Sequence, residues 1–437
     1  MLAYLLALQT TLAPPASPGE SVSSADSVPR ITLGEALRRS ARFDPDYVRA
    51  LGQIDNAEWG RRAAMLAFFV PAIELGLDET KYSQSFFNPA DPANPTSTLV
   101  VARASANYEV FSLRKFSELS RTKAELASAE ASELEQRFQA ALETESSYYD
   151  VLVNQELFRV TAERAARARE GLSVARARVT SGAAVQTDSL QLVLELTRAQ
   201  VDSLRQQNSL RTAQLELGRQ VGAAGPVNAV PSDSLPPAEL PLALPEALRF
   251  ALDQGPQYRA ARANESSAAA ALRAQRSDYL PTLSIGGVHQ RYDTQIFPGA
   301  SNITSVVFRL SYPLWNNGQR EIEMTRARVN RDVARTLRED LERVIRRDVI
   351  SSYDAYGTSS AAVKLALVGV TVGRQNYRMQ ELRYRAGAST ILDLLDAQVN
   401  LAQAEADLVL ARYEARLALA RLEAVLGRRL FTDKDAQ

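Results

Sequence analysis

Two stretches of this chain alternate between apolar and polar side chains. Along LVVARASANYEV, residues 99 to 110, Val100, Ala102, Ala104, Ala106, Tyr108 and Val110 fall on one side. Arg103, Ser105, Asn107 and Glu109 fall on the other. Within a strand predicted over 303–314, Val306, Phe308, Leu310, Tyr312 and Leu314 stand opposite Ser305, Arg309 and Ser311. A period of two means a strand with one apolar and one wetted face. Partner strands are predicted at 72–82, with Ile73, Leu75 and Leu77, and at 282–293, where the alternation slips at Gly286 and Gly287 as a bulge would make it. Loops 83–98 and 296–302 then close two hairpins.

Elsewhere the period lengthens. Leu394, Leu401, Leu408 and Leu422 fall seven apart with Ala415 between, and Ala397, Ala404, Ala411 and Ala418 do likewise, the pattern of a closely packed coiled coil. No proline occurs between Pro95 and Pro226 or after Pro313, and proline is nearly excluded from helix interiors. These spans predict helices at 112–180 and 186–221, then at 316–385 and 391–427, with shorter ones at 45–70 and 256–279. The longest would run about 100 Å. Laid end to end, each pair of shorter helices matches one long helix, as in a hairpin of rods.

The chain also repeats itself. RAGASTILDLLDAQ at 385–398 returns the pattern of TSGAAVQTDSLQLV at 180–193, with Gly387 over Gly182 and Asp393 over Asp188. LGEALRRSARFDPDY at 33–47 corresponds to LPEALRFALDQGPQY at 244–258. An internal duplication follows: repeats over 31–222 and 244–427, joined by a Pro-rich linker at 223–243, with a linker at 17–30 and a tail at 428–437. Residues 1–16 resemble a secretory signal that lacks a basic start.

Composition narrows the chemistry. The 51 basic and 51 acidic residues cancel, so no nucleic-acid partner is indicated. With no Cys and a single His, His289, the usual metal ligands and proton shuttles are missing; no cofactor or metal is expected, and His289 reads as a solvated or lumen side chain. Asp393 and Asp396 share a helix face, but no pocket-forming segment accompanies them, so an enzyme is not expected. Asp188 and Asp393 also suit helix starts, and Thr390 with Asp393 has capping-box spacing; Asp396 has only Gln191 as its counterpart.

Aromatics collect at the strand ends, with Tyr82, Phe86, Phe87, Tyr292 and Phe297 near the loops and Phe68, Phe69, Phe111, Tyr279 and Trp315 near the helices. Amphipathic strands between aromatic girdles describe a transmembrane β-barrel wall in outer-membrane lipid, although a soluble β-sandwich cap has the same alternation. Four strands cannot close a barrel, so copies of the chain must share one. A periplasmic or cytosolic coiled-coil scaffold or adaptor is the alternative from another class.

From about 31 to 427 the chain resembles the TolC family of outer-membrane efflux proteins, most specifically through YRAGASTILDLLDAQ at 384–398, which is similar to the family's second-repeat tip. The resemblance implies a mainly α fold with β: duplicated long helical hairpins and four amphipathic strands per chain. Three copies would form a 12-stranded outer-membrane barrel continued by a periplasmic helical barrel. It implies a homotrimeric passive exit duct for efflux or type I secretion, joined through a periplasmic adaptor to an inner-membrane pump. Gly182, Ala183, Gly387, Ala388 and Ser389 would form the tips that meet the adaptor. Asp393 and Asp396 would line the periplasmic constriction, where six carboxylates favour cations and raise one another's pKa. Asp188 and Tyr384 would bond to hold it shut. Ser389 stands where the best-known member has a latch arginine, with Arg383 and Arg385 nearby.

Overall fold

The computed structural model describes residues 28–89, 91–231, 239–296, 299 and 301–431. The expected signal segment, Phe297 and the end of the tail lie outside them. In chain order the elements are β1 (Arg30–Ile31), α1 (Leu33–Phe43), α2 (Pro45–Leu66), β2 (Ala72–Phe86), β3 (Thr96–Phe111), α3 (Leu113–Thr180), α4 (Gln186–Gln220), β4 (Asn228–Ala229), α5 (Leu244–Gln254), α6 (Pro256–Ser277), β5 (Thr282–Asp293), β6 (Ser301–Ser311), α7 (Gln319–Arg385) and α8 (Ile391–Leu426).

Local chemistry sets the breaks. Asp44 accepts from the Tyr47 amide at 2.7 Å and Pro45 takes the first helical position, so the block before α2 is a separate helix, α1, which the sequence reading left unassigned. Pro256 divides α5 from α6 in the same way. Helices α3 and α7, of 68 and 67 residues, each run about 100 Å. Toward the inter-helix turns, α4 packs on α3, α3 on α8 and α8 on α7; toward the sheet, α2 packs on α3, α3 on α6 and α6 on α7. One chain is thus a curtain four helices wide at either level, with α7 as one edge throughout and α4 or α2 as the other. The α8 seam is buried at Leu394, Ala397, Leu401, Ala415, Ala418 and Leu422.

Where α4 ends, β1 and β4 form a short parallel ladder over Tyr148, Val151, Leu152, Leu217 and Val227. The Tyr148 hydroxyl donates to the Val230 carbonyl at 2.6 Å. The linker expected at 223–243 therefore supplies a strand to the structure. Nearby, Arg429 reaches two carboxylates buried at 2% and 4% exposure, Glu145 of α3 and Glu423 of α8, and the Leu430 amide donates to Glu423 at 2.7 Å.

The sheet runs β2-β3-β5-β6, antiparallel throughout, with β2 and β6 as unpaired edges. Its register gathers Ile73, Leu75 and Leu77 of β2, Ala102, Ala104 and Ala106 of β3, Ile285 of β5, and Val306, Phe308 and Leu310 of β6 onto one face. The other face carries Glu74, Asp78, Arg103, Asn107, Gln290 and Arg309. Three expectations change here. Pairing continues unbroken through Gly286 and Gly287, because glycine leaves the ladder intact and removes only the side chain; the irregularity falls between Glu109 and Phe111 instead, and it sets Phe111, in place of Val110, opposite Leu283 on the apolar face. His289, expected to be solvated or in the lumen, stands opposite Ala104 and Thr304 on the apolar face, where its Nδ1 lies 2.8 Å from the Thr304 hydroxyl. Tyr292, expected in the aromatic girdle, lies opposite Val101 and Ser301 on the polar face, its hydroxyl 2.6 Å from the Gln290 amide, since an even position next to Arg291 must point the other way.

Candidate functional site

The two turns that join α3 to α4 and α7 to α8 share one construction. Gly182 and Gly387 adopt φ of 75° and 78°, the left-handed region that glycine enters without strain. In the first turn the Gly182 amide donates to Val179 and the Ala183 amide to Arg178; in the second Gly387 donates to Tyr384 and Ala388 to Arg383. These paired bonds satisfy the last carbonyls of each long helix. In both turns an arginine folds back to the carbonyl two residues beyond the cap: Arg178 to Ala183 at 3.1 Å and Arg383 to Ala388 at 3.3 Å.

The second tip starts its return helix with a complete capping box. The Asp393 amide donates to the Thr390 hydroxyl at 3.2 Å, and the Asp393 carboxylate accepts from the Thr390 amide at 2.9 Å. Within one chain the Thr390 hydroxyl, which donates to the carboxylate at 2.7 Å, then the Thr390 amide and the charge of Arg383 lower the pKa of Asp393. Asp393 and Asp396 both lie exposed on α8, while Asp188 is half-buried in the first turn of α4, whose N-cap Val185 has no side-chain bond to offer. Ser389 only grazes the Gln380 carbonyl, at 3.5 Å.

Tyr384 joins the two tips. It is 2% exposed and packs with Leu172, Ala175, Leu192, Ile391 and Leu394. Burial, and next the charge of Asp188, raise its pKa, and its hydroxyl has no hydrogen bond among the described residues. The structure brings the expected Asp188–Tyr384 pair together, with Asp188 acting on the hydroxyl mainly by its charge. Arg178 was missed by the sequence reading: its guanidinium lies 4.6 Å from the Tyr384 ring centre and donates to the Tyr384 carbonyl at 2.5 Å. The one available signal was its position 205 residues before Arg383.

Further ties between the hairpins lie higher. Gln398 donates to the Arg164 carbonyl at 3.2 Å, and buried Glu405 of α8 lies 3.1 Å from Arg167 of α3 and 3.3 Å from Arg374 of α7. At the opposite end of the curtain, Trp315 is exposed, Tyr82 is half-buried where the β2 register shifts, and Arg320 stacks on the Tyr279 ring at 3.9 Å.

The chain matches the family described as outer membrane efflux protein twice, over residues 44–223 and 247–428. It is 26% identical to Protein CyaE of Bordetella pertussis over 284 residues, 62% of this chain and 60% of that one. It is 25% identical to the pyoverdine export outer membrane protein OpmQ of Pseudomonas putida over 407 residues, 85% of this chain and 81% of that one. In fold it is similar to the CmeC outer membrane channel of Campylobacter jejuni, with a TM-score of 0.76 and 14% identity over 92% of this chain and 87% of that one.

Proposed function

The chain belongs to the outer membrane efflux protein family, and from that premise we propose that three copies form a passive exit duct across the outer membrane and periplasm. One observation carries this reading: a four-stranded sheet with an apolar exposed face, a polar face and two unpaired edges. In lipid an unpaired edge leaves amides and carbonyls without partners, so β6 of one copy must pair with β2 of the next. Two copies would give eight strands, an interior that side chains fill; three give twelve and leave a lumen.

The helical curtain supports the same ring. Its edges carry exposed apolar stripes at coiled-coil spacing: Leu190, Leu194, Val201 and Leu204 on α4, and Leu365, Val368, Val372, Met379 and Leu382 on α7. Each stripe starts near a tip, so α7 of one copy lies at the right height for α4 of its neighbour. This head-to-tail contact closes a ring, as the sheet edges do. A coiled-coil scaffold explains the stripes and leaves the lipid-type sheet unaccounted for.

In this duct Asp393, Asp396, Asp188 and Tyr384 form the periplasmic gate. The tips at Gly182, Ala183, Gly387, Ala388 and Ser389 receive a periplasmic adaptor, and an inner-membrane pump supplies the energy for efflux or type I secretion. The repeats 31–222 and 244–427 act as two equivalent hairpin units. Detergent-extracted protein is expected to sediment as three chains and to conduct cations weakly in a planar bilayer, with Asp393→Ala/Asp396→Ala conducting more. A detergent-free monomer that keeps its helicity would end the reading. Unchanged conductance in the double variant would remove the two carboxylates from the gate and leave the duct.

A further inference from the structure

We infer that Arg178 is the positioning residue that holds the two hairpin tips together, through Tyr384; the inference rests on the duct reading above. The argument begins with an asymmetry between the repeats. Arg178 and Arg383 occupy equivalent places, 205 residues apart, and each bonds the carbonyl two residues past its own helix cap. Among the described residues Arg383 makes only that bond beyond its attraction to Asp393. Arg178 does more: a second nitrogen crosses to the other hairpin and donates to the Tyr384 carbonyl, and its guanidinium carbon sits over the Tyr384 ring, 4.6 Å from its centre. The position in the first repeat that corresponds to Tyr384 is Val179, which offers a carbonyl but no ring, so the ring contact has no counterpart there.

The tie is chemically suited to a gate. The Tyr384 carbonyl already accepts from the Gly387 amide, so Arg178 grips the Schellman turn and, through it, the start of α8 with Asp393 and Asp396. Arg178 is only half-buried, and both of its hydrogen-bond acceptors are neutral carbonyls, so salt screens the tie less than it screens an exposed ion pair. The neighbouring Arg385–Glu170 pair also spans the hairpins, at 3.0 Å, but both side chains are largely solvated, and such pairs contribute little. Among the described residues the Tyr384 hydroxyl finds no well-formed hydrogen bond, so the ring is held mainly by packing and by Arg178. Removing the guanidinium frees the second tip to move as a unit.

The test is single-channel recording of the full-length protein in planar bilayers, with thermal unfolding of the same preparations. Arg178→Ala is expected to raise open probability about tenfold, the factor that loss of one charge-assisted hydrogen bond carries. Arg178→Lys, which keeps the charge and loses the planar fork, should fall between it and the parent. Glu170→Gln should stay within about twofold of the parent, since an exposed pair contributes little. The parent should remain closed in about 1 M salt, where the Debye length is only a few ångströms. Parent-like gating in Arg178→Ala, with channels still forming, would overturn the inference while leaving the duct reading intact. So would an Arg178→Ala effect fully reproduced by Glu170→Gln, because the tie would then be general electrostatics. Failure of the parent itself to form channels would count against the duct reading.

Discussion

Arg429 and the capping residues show how single side chains set the stability of this chain. Burial pushes the Glu145 carboxyl above its usual range, and Arg429 opposes that shift from the C-terminal side of α8. Arg429→Ala would strand Glu145 and Glu423 without their counter-ion, at a cost of about 3 to 5 kcal/mol. An acid whose folded pKa stands above its unfolded one favours the fold when protonated, so the melting temperature of this variant should recover as pH falls. A variant that melts like the parent at neutral pH would refute the clamp. Asp393 has the opposite sign. Its pKa is lowered by Thr390, so its contribution is present above the ordinary carboxylate range and fades as pH drops through the folded value. Thr390→Ala should cost about 1 kcal/mol as a lost cap. At the left-handed glycines the ordering is informative. Gly387→Ala meets only ordinary contacts and should cost about 1 to 2 kcal/mol for its backbone conformation. Gly427→Ala also drives a Cβ to 2.4 Å from the Pro256 ring and should cost more. Equal melting of the two would contradict the packing described.

The strands and helices carry faces that neither neighbour within the chain covers. In the sheet, alternation assigns Phe308 outward and Ser305 inward. Phe308→Arg should therefore lower stability in lipid by about 2 to 4 kcal/mol, while Ser305→Arg is tolerated and alters ion selectivity. Unfolding titrations in vesicles together with reversal potentials separate the two, and equal tolerance would mean the faces are assigned the wrong way round. Periodicity made both faces legible, and proline spacing located the helices within a few residues. It placed the start of α2 at Pro45 and left the block before it, which folds as the separate helix α1, unassigned. Nor did it locate the bulge: glycine in a strand suggests one, but Gly286 and Gly287 remain in register while Glu109 and Phe111 do not. With Gly286 and Gly287 in register, His289 shares the apolar face with Ile285.

In the proposed trimer these uncovered faces would form the wall of a channel. If α7 of one copy docks on α4 of the next, Leu365→Glu with Leu204→Glu should leave helicity intact and reduce the sedimenting species from three chains to one. Retention of the trimer would place the contact elsewhere. The order of elements, the duplication, the amphipathic faces and the glycine turns could be read from the chain alone, because each depends on residues a few positions apart, where dihedral preference and periodicity act. The Arg178–Tyr384 tie, the Arg429 clamp, the β1–β4 ladder and the place of Tyr292 could not. They depend on which distant segments meet and in what register, which is settled by packing two long hairpins side by side. No local propensity links residue 178 to 384 or 145 to 429; only the folded curtain brings them within hydrogen-bond reach.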